Sequence, residues 1–215
     1  MIELDESMLL STGSRRATYR HPLRSERCIK IEIGKAYTRR SRVSPWLRVP
    51  APGSNQREIE GFETIRKKLG RLPGFMSSVY GLLQTNKGEG LEVECVVPVG
   101  APSFSLRSLL KKGYASLPED ADLGSLIDQF EIASDTIVKN NIYNHCSAPE
   151  SFIYVKQEGS YVLKIIDYKT IVSYEFIPLS SSSFFQKRFI KRRMSKIRSK
   201  LDKIFSDRRA AVSRC

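Results

Sequence analysis

The sequence predicts an α+β fold, and three patterns carry this prediction. Residues 7–33 alternate apolar and polar side chains around two breaks, which is typical of a β-meander. Residues 56–69 and 118–141 repeat apolar side chains every three or four positions, as amphipathic helices do. Two further segments, 77–100 and 151–167, each hold two apolar runs separated by a Gly-containing turn, and therefore indicate β-hairpins.

Length and composition indicate a folded, soluble protein. The chain has 215 residues with 40% hydrophobic residues, which is enough for one sizeable domain or two small lobes. It contains no run of about 18 apolar residues, and its N-terminus is acidic, unlike that of a secretory signal. A cytoplasmic location is therefore expected. The four cysteines lie far apart without a CxxC pair, and only two histidines accompany them, so neither a zinc site nor a disulfide framework is predicted.

The net charge of +13 is concentrated near the C-terminus. Residues 184–209 hold eleven Lys or Arg side chains against two Asp, a local balance of +9. Apolar residues recur there every three or four positions, which predicts a basic amphipathic helix with one apolar stripe: Ile190, Met194, Ile197, Leu201 and Ile204. The stripe has two candidate partners, the rest of the protein and an anionic membrane surface. Nucleic acid is disfavoured because the basic segment has no interleaved aromatic platform for stacking bases and the remaining chain is nearly neutral.

The predicted elements follow one another in a simple order. The meander has an apolar start, a turn near Gly13, a return strand that stops at Pro22, and a third strand over 27–33. Residues 34–55 are predicted to be an irregular connection whose lone Trp46 is pinned onto the domain. A helix over 56–69 then carries Glu58 in its first turn and ends at Gly70.

The second half of the chain repeats the alternation of hairpins and helices. The first hairpin turns across residues 86–90, a short helix covers 103–113, and a longer helix follows. The longer helix is predicted to turn one apolar set inward: Leu123, Leu126, Ile127, Phe130 and Ile137. A final hairpin with its turn at Glu158 and Gly159 ends in Asp167.

Lys30 is the anomalous residue of the third strand, because it places an ammonium group among Cys28 and the isoleucines of "RCIKIEI". One interpretation is a lysine whose stem is buried while its head reaches water. The other is a buried charge that faces an anion and a carboxylate partner.

Two resemblances favour the second interpretation. The order of elements resembles the protein kinase-like fold, in which a strand lysine pairs with a glutamate of the following helix and holds nucleotide phosphates. The segment "TGSRRATYRHP…RCIKI" resembles the YrbL family, bacterial proteins named for the PhoP regulatory network. The residues that match its pattern are Gly13, Arg16, Tyr19, His21, Pro22 and Arg27 to Ile31, followed by Arg57, Glu58 and Ile59.

The resemblance implies a set of nucleotide-binding residues. Lys30 takes the phosphate-facing position and Glu58 is its partner, with Glu60 and Glu63 as weaker alternatives on the same helix. Gly13 stands where a kinase has a glycine-rich loop. The candidate phosphate contacts of that loop are the guanidinium groups of Arg15 and Arg16.

The resemblance also implies a metal position and a degenerate catalytic loop. Asp167 in "LKIIDYKT" takes the metal-binding position, with ATP and Mg²⁺ as the implied cofactors; the alternative is a simple turn cap. In "NHCSAPES", Cys146 replaces the catalytic aspartate and Ser151 the metal-binding asparagine. A thiol is a poor general base at neutral pH without activation, and pairing of Cys146 with adjacent His145 is disfavoured because sequence neighbours rarely face each other.

These residues lead to two functional hypotheses. The first is a kinase-like regulatory protein, a pseudokinase, that binds ATP and Mg²⁺ weakly or not at all. The alternative is an active small kinase acting on a small molecule or a lipid-linked sugar, since the chain after Asp167 is too short for a peptide-binding subdomain. The expected architecture is a β-rich N-lobe with one helix over 1–100, a reduced helical C-lobe over 101–180, and the basic helix over 184–209, at the inner membrane if that helix binds lipid.

Overall fold

The predicted α+β class is confirmed. The structure, a computed structural model, describes residues 1–34, 53–142, 147–169 and 183–212, and Trp46 lies outside these ranges. Within them the chain forms eight β-strands in two antiparallel sheets and four α-helices. The expected division into lobes at residue 100 stays a prediction.

The larger sheet has the strand order β1-β2-β3-β5-β4 and the smaller one the order β6-β7-β8. The larger sheet consists of β1 (Leu9–Thr12), β2 (Arg16–Arg20), β3 (Arg27–Glu32), β4 (Val79–Thr85) and β5 (Gly88–Glu94). The smaller sheet consists of β6 (Ser103–Ser105), β7 (Phe152–Gln157) and β8 (Ser160–Ile165). The helices are α1 (Ser54–Leu69), α2 (Leu106–Lys112), α3 (Leu123–Lys139) and α4 (Ser183–Val212).

The predicted meander is present as β1, β2 and β3, and the alternation of side chains along β3 gives the larger sheet two different faces. On one face Ile29 and Ile31 are buried against Leu4 of the N-terminal segment. On the other face Cys28 belongs to a separate buried cluster that Ile59 of α1 covers. Because side chains alternate along a strand, Lys30 lies on the same face as Cys28 and so faces α1.

The β4–β5 turn is shorter than the sequence predicts. The prediction of a turn across 86–90 was wrong, since only Asn86 and Lys87 separate the two strands. Gly90 lies inside β5, where a Cβ atom would be 2.5 Å from Ile29 Cγ2. This glycine therefore serves close packing against β3 and not a turn.

Two predicted helix boundaries were also wrong. Residues 103–105 pair with β7 as strand β6, so α2 begins only at Leu106, where the Ser105 hydroxyl accepts a hydrogen bond from Ser108 N–H. Helix α1 begins at Ser54, which moves Glu58 out of the first turn. The Glu32 carboxylate occupies that end of the helix by accepting a hydrogen bond from Asn55 N–H at 2.6 Å.

The main core lies between the smaller sheet and the helices. The predicted hairpin turn is confirmed, because Glu158 and Gly159 have φ angles of 48° and 86° and connect β7 to β8 directly. Of the inward set predicted for α3, the structure buries three members fully and two partly. The fully buried members are Leu126, Phe130 and Ile137, while Leu123 and Ile127 are partly buried.

The apolar stripe of α4 is packed against the protein. All five of its predicted members are buried in the main core cluster, and Arg198 forms an ion pair with Glu131 of α3 at 2.6 Å. Of the two candidate partners of the stripe, the structure therefore shows the rest of the protein. The lysines of the opposite helix face remain exposed. None of the helices in the described ranges is long and apolar enough to cross a membrane.

A substitution in the stripe tests this packing. We expect Leu201→Ala to lower the free energy of unfolding by about 3 kcal/mol, because a buried leucine is replaced by a cavity. The exposed neighbour provides a matched control, since Lys200→Ala is expected to change the free energy by less than about 0.5 kcal/mol. Urea denaturation followed by circular dichroism measures both. Equal, small effects of the two substitutions would contradict the packed position of α4.

Candidate functional site

Lys30 and Glu58 form a buried ion pair between β3 and α1. The Lys30 ammonium lies 2.6 Å from Glu58 Oε1, and only 1% of the Glu58 side chain is exposed. The expected pairing of these two residues is confirmed. The two weaker alternatives are engaged elsewhere, because Glu60 accepts a hydrogen bond from Gln56 and Glu63 pairs with Arg66.

Arg16 is a second cation on the same carboxylate. It is the first residue of β2, and its Nη1 donates a hydrogen bond to Glu58 Oε2. Asn55 connects the same groups, because its Nδ2 donates to the Lys30 carbonyl at 3.0 Å and its Oδ1 accepts from Arg16 at 3.4 Å. Each oxygen of Glu58 thus holds one cation, and the carboxylate joins β2, β3 and α1.

Asp167 completes the cluster from the chain segment that follows β8. Its Oδ1 lies 3.6 Å from Arg16 Nη2, and its Oδ2 accepts a hydrogen bond from Lys169 Nζ at 3.3 Å. The residue has a φ angle of 65°, a left-handed conformation that Asp and Asn adopt more readily than most residues. Its Oδ1 is buried and has no hydrogen-bond partner among the described residues.

The two carboxylates are held in the ionised form. Burial opposes ionisation of Glu58, but Lys30 and Arg16 outweigh it and hold the pKa of the carboxyl below its ordinary value of 4.5. Burial likewise opposes ionisation of Asp167, while Lys169, Arg16 and Lys30 lower its pKa below 3.8. The pKa of Lys169 is lowered, mainly by burial, although Asp167 opposes this change.

Positive charge exceeds negative charge in the cluster. Lys30, Arg16 and Lys169 stand against Glu58 and Asp167. A further cation, Arg57, is buried on α1 and interacts electrostatically with Arg16 and Asp167, and burial lowers its pKa. Glu32 and Glu60 are further carboxylates near these cations, so the surplus belongs to the directly paired residues.

Tyr168 fixes the segment that carries Asp167. The ring is completely buried and contacts Phe62 of α1, with 5.6 Å between ring centroids. Its hydroxyl lies 2.9 Å from the carbonyl oxygen of Ser77 and 2.7 Å from that of Ile165. The sequence had indicated only that an aromatic side chain follows the aspartate.

Of the remaining predicted site residues, the structure describes Gly13 and Ser151. Gly13 lies in the β1–β2 turn, where its N–H donates to the Arg16 carbonyl at 2.8 Å. Ser151 is buried, and its carbonyl accepts a hydrogen bond from Ile166 N–H at 2.9 Å, next to Asp167. Cys146 and His145 lie outside the described residues. The ranges that the structure describes contain no group of three or more His, Cys, Asp or Glu side chains suited to hold a metal ion.

The structure also brings together two thiols that the sequence had left far apart. Cys28 of β3 is buried, and Cys95, just after β5, packs partly buried against the same cluster, with its thiol donating to the Val97 carbonyl at 3.5 Å. The neighbouring Cys95 thiol and burial raise the pKa of Cys28, so the Cys28 thiol stays protonated. Only the strand register reveals the proximity, since 67 positions separate the two residues in the sequence.

Comparison with models of known protein families gives a match over most of the chain. The model of the family described as PhoP regulatory network protein YrbL matches residues 2–202. That range contains the whole cluster, including both carboxylates and their cations. No curated protein matches the chain.

The pairing of Glu58 predicts a pH-dependent contribution to stability. We expect Glu58→Gln to lower the free energy of unfolding by about 3 kcal/mol at neutral pH, because two cations lose their buried counter-charge. The pKa of Glu58 is lowered by folding, so this contribution is present above about pH 4.5 and is lost as the pH falls through the lowered value. The difference between wild type and Glu58→Gln should therefore shrink on acidification.

Denaturant titrations at several pH values measure this difference. Glu63→Gln is the control on the same helix, since that carboxylate is partly exposed and pairs only with Arg66. A difference for Glu58→Gln that stays constant from neutral to acidic pH would contradict the ion-pair description.

Proposed function

The chain belongs to the YrbL family of PhoP regulatory network proteins, and we propose that it is a kinase-like regulatory module that binds nucleotide phosphates without efficient phosphotransfer. Lys30 contacts phosphate, Glu58 orients Lys30, and Arg16 extends the contact from the start of β2. The single observation that carries the proposal is the buried Lys30–Glu58 pair with Asp167 beside it.

The arrangement of the three charged elements supports a kinase-like relation. A strand lysine meets a helix glutamate, and an apolar strand in a second sheet leads to an aspartate on the same side of the molecule. Protein kinases hold nucleotide phosphates with residues of these three types from comparable elements. The order of a meander, one helix and a further hairpin before the second sheet agrees with that relation.

The close approach of three cationic side chains supports phosphate as the ligand. A guanidinium group binds phosphate through paired N–H donors, and an ammonium group adds a point charge. Arg16 and Lys30 lie on one carboxylate, so their orientations are fixed before a ligand arrives. Such preorganisation lowers the entropy lost on binding.

The catalytic loop argues against efficient phosphotransfer. The position that would supply a carboxylate base is Cys146, and the position that would supply a metal-binding amide is Ser151. Ser151 offers only a hydroxyl, and its backbone carbonyl is already engaged by Ile166. The alternative, an active small kinase acting on a small molecule or a lipid-linked sugar, requires a base that these positions do not supply.

Nucleotide binding can be measured by thermal stability. ATP at about ten times its dissociation constant should stabilise the fold by about 1.4 kcal/mol, which corresponds to a rise of about 3–6 °C in the melting temperature. We expect Lys30→Met to abolish this rise, because it removes the phosphate-facing ammonium group while leaving Arg16 to pair with Glu58. Wild type is expected to transfer no phosphate to water or to added acceptors.

Lys87→Met is the matched control for this experiment. Lys87 lies in the β4–β5 turn and pairs with Glu6, which is not a member of the cluster around Glu58, so its substitution should leave the ATP-dependent rise intact. A rise that survives Lys30→Met, or that is absent in wild type, argues against the nucleotide site. Rapid phosphate transfer to a defined acceptor would favour the active kinase.

The exposed face of α4 is a second candidate binding surface. Because the apolar stripe is packed inward, we propose that contact with an anionic membrane involves the basic side chains alone, at about 1 kcal/mol for each nearby cation. A groove of about 200 Å³ beside this face is lined by Leu110, Pro149, Arg193, Lys196, Ile197 and Lys200. None of these residues belongs to the cluster around Glu58.

Charge reversal tests the membrane contact. We expect wild type to sediment with phosphatidylserine vesicles, and a triple variant to remain in solution: Lys191→Glu, Lys196→Glu and Lys203→Glu. A control with the same net charge places the changes elsewhere, at Lys67→Glu, Lys111→Glu and Lys112→Glu, and should still sediment. Equal behaviour of the two triple variants would show that α4 has no special role.

A further inference from the structure

We propose that the site binds its polyphosphate ligand without a divalent cation, because Arg16 and Lys169 supply the positive charge that Mg²⁺ would provide. This inference rests on the proposed phosphate site. It concerns the position of Asp167, which the kinase resemblance assigns to a metal ion.

The surroundings of Asp167 are cationic on both sides. Lys169 Nζ lies 3.3 Å from Oδ2, and Arg16 Nη2 lies 3.6 Å from Oδ1. Lys30 adds to the positive field at the carboxylate. A divalent cation bound to Asp167 would therefore lie close to two positive side chains and would be repelled by both.

The oxygen donors near Asp167 do not meet the requirements of Mg²⁺. That ion prefers six oxygen ligands at about 2.1 Å and is usually held by one or two carboxylates together with phosphates and water. Glu58 is the second carboxylate of the cluster, and both of its oxygens already bind cations. Ser151, at the position of the second metal ligand, contributes no carboxylate or amide.

The same cations fit a polyphosphate directly. Arg16, Lys30 and Lys169 converge on the two carboxylates, and phosphate oxygens that approach them would share their N–H donors. In this arrangement Asp167 is not a ligand-binding group. Its carboxylate positions Arg16 and Lys169, and its negative charge opposes the incoming phosphates.

Replacing a metal-binding aspartate by asparagine would weaken ATP binding. The inference predicts the opposite for Asp167→Asn, namely tighter binding of ATP. Asparagine tolerates the left-handed backbone at this position and keeps the side chain's shape. We expect it to tighten ATP binding in EDTA about five-fold, because one repulsive charge is removed. We expect wild type to bind ATP in EDTA and to bind the Mg²⁺ complex of ATP no more tightly, since that complex carries less negative charge.

Isothermal titration calorimetry of the full chain with ATP and with inorganic tripolyphosphate, in EDTA and in MgCl₂, measures these affinities. Lys169→Gln is a second variant, and it should weaken binding in EDTA by about ten-fold. Each variant is compared only after its unliganded melting transition has been recorded, so that a folding defect is recognised separately.

The outcomes distinguish this inference from the phosphate site itself. Binding in EDTA that tightens with Asp167→Asn and weakens with Lys169→Gln supports the inference. Wild-type binding that needs Mg²⁺, or that Asp167→Asn abolishes, overturns it and leaves the nucleotide site standing. The absence of binding in both buffers overturns the proposed function as well. If Asp167→Asn fails to fold, the Lys169→Gln result and the comparison of wild type in the two buffers decide.

Discussion

The carboxylate of Glu58 is the constraint on which the rest of the site depends. It is almost completely buried, and a buried carboxylate is tolerated only where cations and hydrogen bonds compensate for the loss of water. Lys30 and Arg16 supply that compensation from two neighbouring strands. Helix α1 must therefore take one rotation about its own axis and one position along that axis relative to β2 and β3. The Glu32 carboxylate, which accepts a hydrogen bond from Asn55 N–H at the N-terminus of α1, fixes the same position.

A second attachment aligns the smaller sheet with this arrangement. Tyr168 is buried against Phe62 of α1, and its hydroxyl lies within hydrogen-bonding distance of two backbone carbonyls. The adjacent residue, Asp167, is thereby presented to Arg16. The ion-pair network and the aromatic contact are thus two consequences of one packed position of α1, and neither sheet alone would create the site.

The sequence predicts much of this framework for identifiable reasons. The alternation in β3 and the stripe of α4 are strong periodic signals, and Lys30 stands out because a charge interrupts an apolar strand. The resemblance pointed to Glu58 as its partner. Two wrong predictions have physical causes. Gly90 was placed in a turn, but it is a glycine because β3 packs closely against it. Residues 103–105 were placed in a helix, but they form a strand because β7 provides a hydrogen-bonding edge. Periodicity along one segment contains neither of these tertiary contacts.

The bridging role of Arg16, and the proximity of Cys28 to Cys95, lay beyond any local pattern. An arginine beside a turn is usually solvated, and only the packing of β2 and β3 against α1 directs Arg16, the first residue of β2, inward. The contact between Lys169 and Asp167 is instead a local one, made where Asp167 has a left-handed backbone.

The long sequence separation between the members of the cluster bears on how the chain reaches its native state. Lys30 and Glu58 are 28 positions apart, Arg16 and Glu58 are 42 apart, and Asp167 joins them from near the end of the chain. Closing such loops costs entropy before the contacts compensate for it, so these charges are expected to meet late in folding. Ligand-binding competence would then mark a completely folded molecule, and intermediates that hold only one sheet would be unable to bind.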